Sequence, residues 1–211
     1  MNEISYPNFK NDLRNIIEPK CSKCSDLVQK RTEISWGYGP LNSKLIFIAE
    51  APAKGKLEDD PWQGSNYSGI PFTNKKSGKF FRYQMKKMGF DLAKDYYVTN
   101  TVKCFPGGSL KDQHKENCNE YLVKEIEIIQ PKLIVCVGRT ALNEVYQLIM
   151  GKKEKLELGP VIKKRIINLH GYNVAAMIHP SRFYFWLKKY GFKNEEEYLN
   201  RCRSIFEEYL Q

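Results

Sequence analysis

Short apolar runs that stop abruptly at polar or glycine-bearing turns dominate this chain. Lys44–Ala49 runs into Glu50-Ala51-Pro52-Ala53, and Tyr96–Thr99 runs into Asn100. Leu133–Val137 ends at Gly138-Arg139, and Val174–Ile178 ends at His179-Pro180-Ser181. Near-continuous apolar runs of this length read as strands covered on both faces, as in parallel sheets. Between them the periodicity predicts helices over Gly78–Met88, Lys115–Ile129, Thr140–Met150 and Lys193–Leu210. The second stops before Pro131, because proline disfavours helical backbone in the residue before it. Asn194 fits an N-cap, followed by three glutamates in a first turn whose free N–H groups favour negative charge. Arg165–Leu169 fits a short extra strand before the turn at His170-Gly171, and Asn8–Ile17 fits a helix leading into Cys21. Alternating strands and helices predict an α/β fold, a three-layer α/β/α sandwich around a short, mainly parallel four-stranded sheet. No repeat, low-complexity tract or linker divides the sequence. Residues 1–211 are therefore expected to form a single domain, with an N-terminal helix and cysteine hook in 1–30 and a closing helix in 193–211.

This order has a geometric consequence. Ligands of open parallel sheets bind at the carboxyl ends of the strands. Glu50, Asn100, Gly138 and His179 all fall at such ends, so one cleft is expected to collect them despite their separation in sequence.

Charge and cysteine content narrow the setting. The 34 Lys+Arg against 24 Asp+Glu leave a formal charge of +10, which suits a polyanionic partner and equally suits a lysine-rich solvated surface. No charged-then-apolar leader opens the chain, and no apolar run approaches the roughly 20 residues of a membrane span, so no membrane association is expected. Six cysteines in 211 residues do not resemble a secreted disulfide scaffold, and a reducing, cytoplasmic setting is expected. Cys136 lies in an apolar run and Cys202 in the closing helix, where a buried thiol serves packing. Cys21, Cys24, Cys104 and Cys118 differ. A lone Cys-x-x-Cys also reads as a redox pair. Four thiolates converging from two distant segments suit a tetrahedral sulfur site, either an iron–sulfur cluster or zinc.

The order of short motifs resembles the uracil-DNA glycosylase superfamily, in particular its iron–sulfur branches, families 4 and 5. The elements are the Cys-x-x-Cys hook, Ala49-Glu50-Ala51-Pro52-Ala53, Gly69-Ile70-Pro71-Phe72-Thr73 and Ser77-Gly78-Lys79-Phe80. They continue with Asn100-Thr101-Val102-Lys103-Cys104, Cys118 with Tyr121-Leu122, and His179-Pro180-Ser181. Each is short, but seven in order from about Cys21 to Arg182 are specific. The resemblance implies hydrolysis of the N-glycosidic bond of uracil in DNA by a monofunctional enzyme that leaves an abasic site. It also implies a structural [4Fe–4S] cluster on Cys21, Cys24, Cys104 and Cys118, where ligand chemistry alone leaves zinc open. A monomer associated with the nucleoid and acting on DNA is expected from it.

The same resemblance assigns roles. Breaking this bond makes the sugar cationic and the departing base anionic, so preorganised donors around a flipped base are needed. Asn100 matches the amide that reads the uracil edge, donating to O4 and accepting from N3–H. His179 matches the donor to uracil O2, and Phe72 the aromatic that stacks on the base. Glu50 resembles family 4, whereas Ala53 resembles family 5. Glu50 has three readings: positioning water or substrate, stabilising the sugar cation, or accepting backbone N–H groups. Ala49, Ala51, Pro52 and Ala53 would let the main chain approach the substrate, with Ser181 and Arg182 at the DNA backbone. Phe183–Trp186 reads either as a wedge entering the duplex or as a helix packed on the domain. Lys103 is a possible Schiff-base amine by position, but the family residue there is not a nucleophile. Rival readings are a same-fold glycosylase for hypoxanthine, xanthine or mismatched thymine, a weak DNA-binding or damage-sensing module, and a zinc-stabilised nucleic-acid-binding protein.

Overall fold

A computed structural model describes residues 21–54, 64–73, 76–92 and 94–211. The helix expected over 8–17 lies outside them. Five strands form one sheet: β1 (Leu45–Ala49), β2 (Tyr96–Asn100), β3 (Leu133–Val137), β4 (Ile167–Leu169) and β5 (Tyr172–Met177). Their spatial order is β2-β1-β3-β5-β4, with β4 alone antiparallel. The expected four-stranded sheet therefore gains a fifth, short edge strand. His170 and Gly171 both carry positive φ, 45° and 92°, as the two central residues of a tight hairpin turn require. Leu169 pairs with Tyr172 across that turn, so β5 starts two residues before the apolar run at Val174.

The described helices are α1 (Ser25–Val28), α2 (Ser65–Ser68), α3 (Ser77–Lys87), α4 (Asp112–Ile129), α5 (Arg139–Met150), α6 (Leu158–Lys164), α7 (Phe183–Lys189) and α8 (Glu195–Leu210). Four follow the periodicity to within three residues. Helix α4 starts earlier than its apolar pattern because the His114 ring accepts the Lys111 N–H at 3.2 Å and closes the first turn. Asn194 caps α8, accepting the Glu197 N–H at 2.9 Å.

Every residue of β1, β2 and β3 is buried, as a sheet covered on both faces demands. Phe47 meets Phe81 of α3, Tyr96 of β2 and Phe206 of α8 edge-on, with centroids 5.1 to 5.6 Å apart. Helices α3 and α8 therefore cover one face. Glu125 of α4 reaches Thr99, whose side chain points to the other face, and Lys115 ties α4 to Glu144 of α5 at 2.9 Å. The result is the expected α/β/α sandwich. Among the described residues no helix is long and apolar enough to cross a membrane.

Chain order reverses about β1. The link from β1 leads outward to β2, and the next crosses back to β3. That reversal opens a crevice beyond the carboxyl ends of β1 and β3, where open α/β sheets hold ligands.

Candidate active site

Pairing continues past the strand ends and locks two of the motifs together. Ala49 is in register with Asn100. Its carbonyl accepts the Thr101 N–H at 2.8 Å, and the Glu50 carbonyl accepts the Val102 N–H at 2.9 Å and the Thr101 hydroxyl at 2.7 Å. The main-chain oxygen of Glu50 thus takes up the strand-end donors, while its carboxyl faces the crevice. Burial pushes that carboxyl above the usual range, opposed by the nearby Lys115 ammonium and reinforced by Glu144.

A cavity of about 210 Å³ lies at the crevice, lined by Glu50, Gly138, Arg139, His179, Ser181 and Trp186 among others. The structure therefore joins Glu50 to His179 through one solvent space. Ser181 donates its N–H to His179 Nδ1 at 3.2 Å, and its hydroxyl sits 2.8 Å from the same nitrogen. A nitrogen that accepts cannot carry the proton, so the neutral ring holds it on Nε2. Burial lowers the pKa of His179 and favours this neutral form. Gly138 explains how the ring fits. It has a φ of +96°, and a Cβ there would stand 3.0 Å from the His179 Cβ.

Asn100 is 2% exposed, and its Nδ2 has no hydrogen-bond partner among the described residues. An orphaned buried amide is costly unless a ligand completes it. Phe72 is buried with a φ of 59° and stacks on Phe81 with centroids 4.0 Å apart. Arg82 donates to its carbonyl. Its ring is therefore part of the core on the side of α3. Ala49 and Pro52 are buried, and Ala51 and Ala53 are half-buried, while Ser181 and Arg182 are exposed. Helix α7 carries the aromatic stretch Phe183–Trp186. Phe183 packs inward, whereas Tyr184 and Phe185 are 61% and 65% exposed.

The four separated cysteines come together. Each of the Cys104 and Cys118 thiols acts electrostatically on its neighbours, Cys104 with Cys21 and Cys24, Cys118 with Cys24 and Cys104. Burial raises both thiols, Cys118 to about 12. Donors oppose it: Arg31 Nη1 reaches Cys104 Sγ at 3.2 Å, and the Lys103 N–H bonds Cys118. Asn117 Nδ2 donates to Cys24 Sγ at 3.2 Å. Among the described residues no three His, Cys, Asp or Glu side chains close on a point that would hold a single metal ion. Cys136 and Cys202 are buried apart, as packing residues.

Some participants had no sequence signal. Glu125 sits in a helix rich in charge and looks solvent-facing, yet it is buried against Lys103. Arg31 and Asn117 reach sulfur from outside every motif. Trp186 lines the cavity from a stretch whose aromatic density was legible but whose orientation was not.

The uracil DNA glycosylase superfamily model matches residues 36–203. A type-4 uracil-DNA glycosylase of Thermotoga maritima is 30% identical over 176 residues, covering 82% of this chain and 83% of that protein. A type-4 enzyme of Archaeoglobus fulgidus is 30% identical over 131 residues, 61% of this chain and 59% of that protein. A type-5 uracil-DNA glycosylase of Pyrobaculum aerophilum is 26% identical over 204 residues, covering 83% of this chain and 82% of its own length.

Proposed function

The chain belongs to the uracil-DNA glycosylase superfamily, and on that footing we propose that it hydrolyses the N-glycosidic bond of uracil in DNA as a monofunctional repair enzyme. The observation that carries this reading is Asn100, a buried amide at the carboxyl end of β2 whose Nδ2 has no partner among the described residues. A flipped uracil supplies its missing acceptor through O4 and offers N3–H to the amide oxygen. His179 then donates from Nε2 to O2, where charge collects as the base leaves, and its neutral state suits a donor that must not surrender a full proton. Phe72, rigid against Phe81, offers a face for the base. Glu50, in the cavity with His179, stabilises the sugar cation or orients the attacking water. Ala49, Ala51, Pro52 and Ala53 keep the approach narrow and unhindered, and Ser181 and Arg182 meet the DNA backbone.

Water is the nucleophile in this scheme. Lys103 Nζ is 2.7 Å from both Thr99 Oγ1 and the Asn100 carbonyl and pairs with Glu125, which supports hydrolysis over a Schiff-base lyase. Cys21, Cys24, Cys104 and Cys118 would hold a [4Fe–4S] cluster, in keeping with the type-4 and type-5 relatives. N–H donors aimed at three of these sulfurs are what ligating thiolates need. Bound there, the group would supply a cross-link between the hook and α4 rather than a redox step. The enzyme acts as a single-domain monomer on uracil-containing DNA in the cytoplasm, at the nucleoid.

Single-turnover excision from a uracil oligonucleotide, with Asn100→Ala and His179→Ala beside the wild type, tests this. Rapid release lost in both variants is the expected result. No release from uracil, with release from a hypoxanthine or xanthine oligonucleotide, would transfer the same site to another deaminated base.

A further inference from the structure

We propose that Lys103 and Glu125 are positioning residues for base recognition, a buried ion pair that fixes Asn100 through its main-chain carbonyl. The proposal rests on the role given to Asn100 above. Strand β2 is at the edge of the sheet. Its outward groups at Val98 are taken by Tyr38, whose N–H and carbonyl both bond Val98 at 2.8 Å. Two residues on, the Asn100 carbonyl points the same way and has no strand to meet it. Lys103 Nζ meets it instead, at 2.7 Å.

All three ammonium protons are used: one on the Asn100 carbonyl, one on Thr99 Oγ1 at 2.7 Å and one on Glu125. Glu125 completes the tripod. One oxygen also accepts the Thr99 hydroxyl at 2.7 Å, and the other accepts the Gly37 N–H at 3.0 Å. The Lys103 side chain is 1% exposed and that of Glu125 is fully buried. The Lys103 main chain is held as firmly, its carbonyl by the Ser35 N–H at 2.8 Å and its own N–H at Cys118. Asn100 is thus tied through one side chain to α4 and to the cysteine centre.

Stability alone does not account for such a pair, because apolar replacements of buried ion pairs are often neutral or stabilising. What it supplies is direction: with the carbonyl pinned, the peptide cannot rotate, and the amide side chain keeps its aim at the base.

The test is the double variant Lys103→Met/Glu125→Gln, which removes the charges together and leaves an acceptor for Gly37. Uracil excision by the wild type, lowered about a thousandfold by Asn100→Ala, first establishes the reading beneath. The double variant is then expected to melt cooperatively and bind uracil-free duplex as the wild type does. Its single-turnover excision rate should fall about tenfold to a hundredfold, the scale of a small misplacement at a reacting centre. In an Asn100→Ala background the same change should cost nothing more, since it acts through Asn100. Thr99→Val, which removes one acceptor with little change of shape, should show a smaller loss with the same non-additivity. A full excision rate in a folded double variant, or losses that multiply with Asn100→Ala, would overturn the proposal.

Discussion

Asn100 and His179 stand at the carboxyl ends of β2 and β5, with two strands between them in the sheet, and are held in opposite ways. Asn100 is buried, its carbonyl held by Lys103, and the two residues after it are tied to β1 through the Ala49 and Glu50 carbonyls. His179 is half-buried on a turn, with its Nδ1 supported by Ser181, an exposed residue two positions along the chain. The first arrangement gives a donor and acceptor whose aim is set before the base arrives, as discrimination between bases requires. The second leaves the ring coupled to Ser181, which in the proposed scheme would meet the DNA backbone. In the proposed scheme, recognition is built into the sheet, and the charge-stabilising donor sits on a surface turn.

The largest expected effects fall on these two residues. Asn100→Ala should lower single-turnover uracil excision about a thousandfold and His179→Ala about a hundredfold, within the range for removing one preorganised donor. The comparison sharpens with His179→Gln, which keeps an N–H donor and should recover part of the loss. Asn100→Asp, which replaces the O4 donor with an acceptor, should recover none. Equal recovery in both would mean that the two ends are not differently held.

Gly138→Ala comes next. The added Cβ would meet the His179 Cβ at 3.0 Å from a backbone at φ +96°, strained for any side chain. His179 must move or the turn must open, and excision should fall about tenfold to a hundredfold. Affinity for uracil-free DNA should hold, because Asn100 and the sheet are untouched.

The sequence carried the parts of this picture that depend on periodicity and on chain-local motifs. Apolar runs marked β1, β2, β3 and β5 because strands buried on both faces must be apolar throughout. The polar residues at their ends followed from topology alone. Asn194 was readable as a cap, and the cysteines as a set. What stayed hidden depends on long-range partners. Glu125 in its charged helix gives no sign that Lys103 will bury it. The orphaned Asn100 Nδ2 is a property of the folded site, not of an Asn beside a Thr. Helix α6 begins at Leu158, and Gly159 and Pro160, which read as a break in sequence, fall in its first turn, where proline's missing N–H costs no helical bond. The β4–β5 hairpin needed positive φ at His170, which a non-glycine residue does not advertise.

A smaller effect separates the ring's support from the ring itself. Ser181→Ala removes the hydroxyl 2.8 Å from His179 Nδ1 but keeps the main-chain donor. A fewfold loss of excision is expected, on the scale of one hydrogen bond worth about 1 kcal/mol. The pH profile tells more. Protonating His179 places a hydrogen on Nδ1 against the Ser181 N–H, so excision should fall as pH drops through the His179 pKa. Burial holds that pKa below the ordinary histidine value, so the wild type should stay active through neutral pH. A rate that rises on acidification would make the cationic ring the donor and undo the tautomer assignment.

The smallest effect concerns stability, and it reads the environment of Glu50 without reference to catalysis. Burial raises the Glu50 pKa in the folded protein above its value in the unfolded chain. Between those two values the folded state binds more protons, so this group's contribution to stability declines as pH rises through the window. Above it Glu50 is ionised in a place that disfavours its charge. Glu50→Gln, which cannot ionise, should therefore raise the melting temperature at neutral pH by a degree or two, roughly the shift for a few tenths of a kcal/mol in a chain this size. The gain should fade as pH falls below the ordinary carboxylate value, where Glu50 is protonated in both states. Melting curves at two pH values decide it. A gain that persists in acid would come from packing, and a loss at neutral pH would mean that the Lys115 ammonium outweighs burial and holds Glu50 as a structural anion.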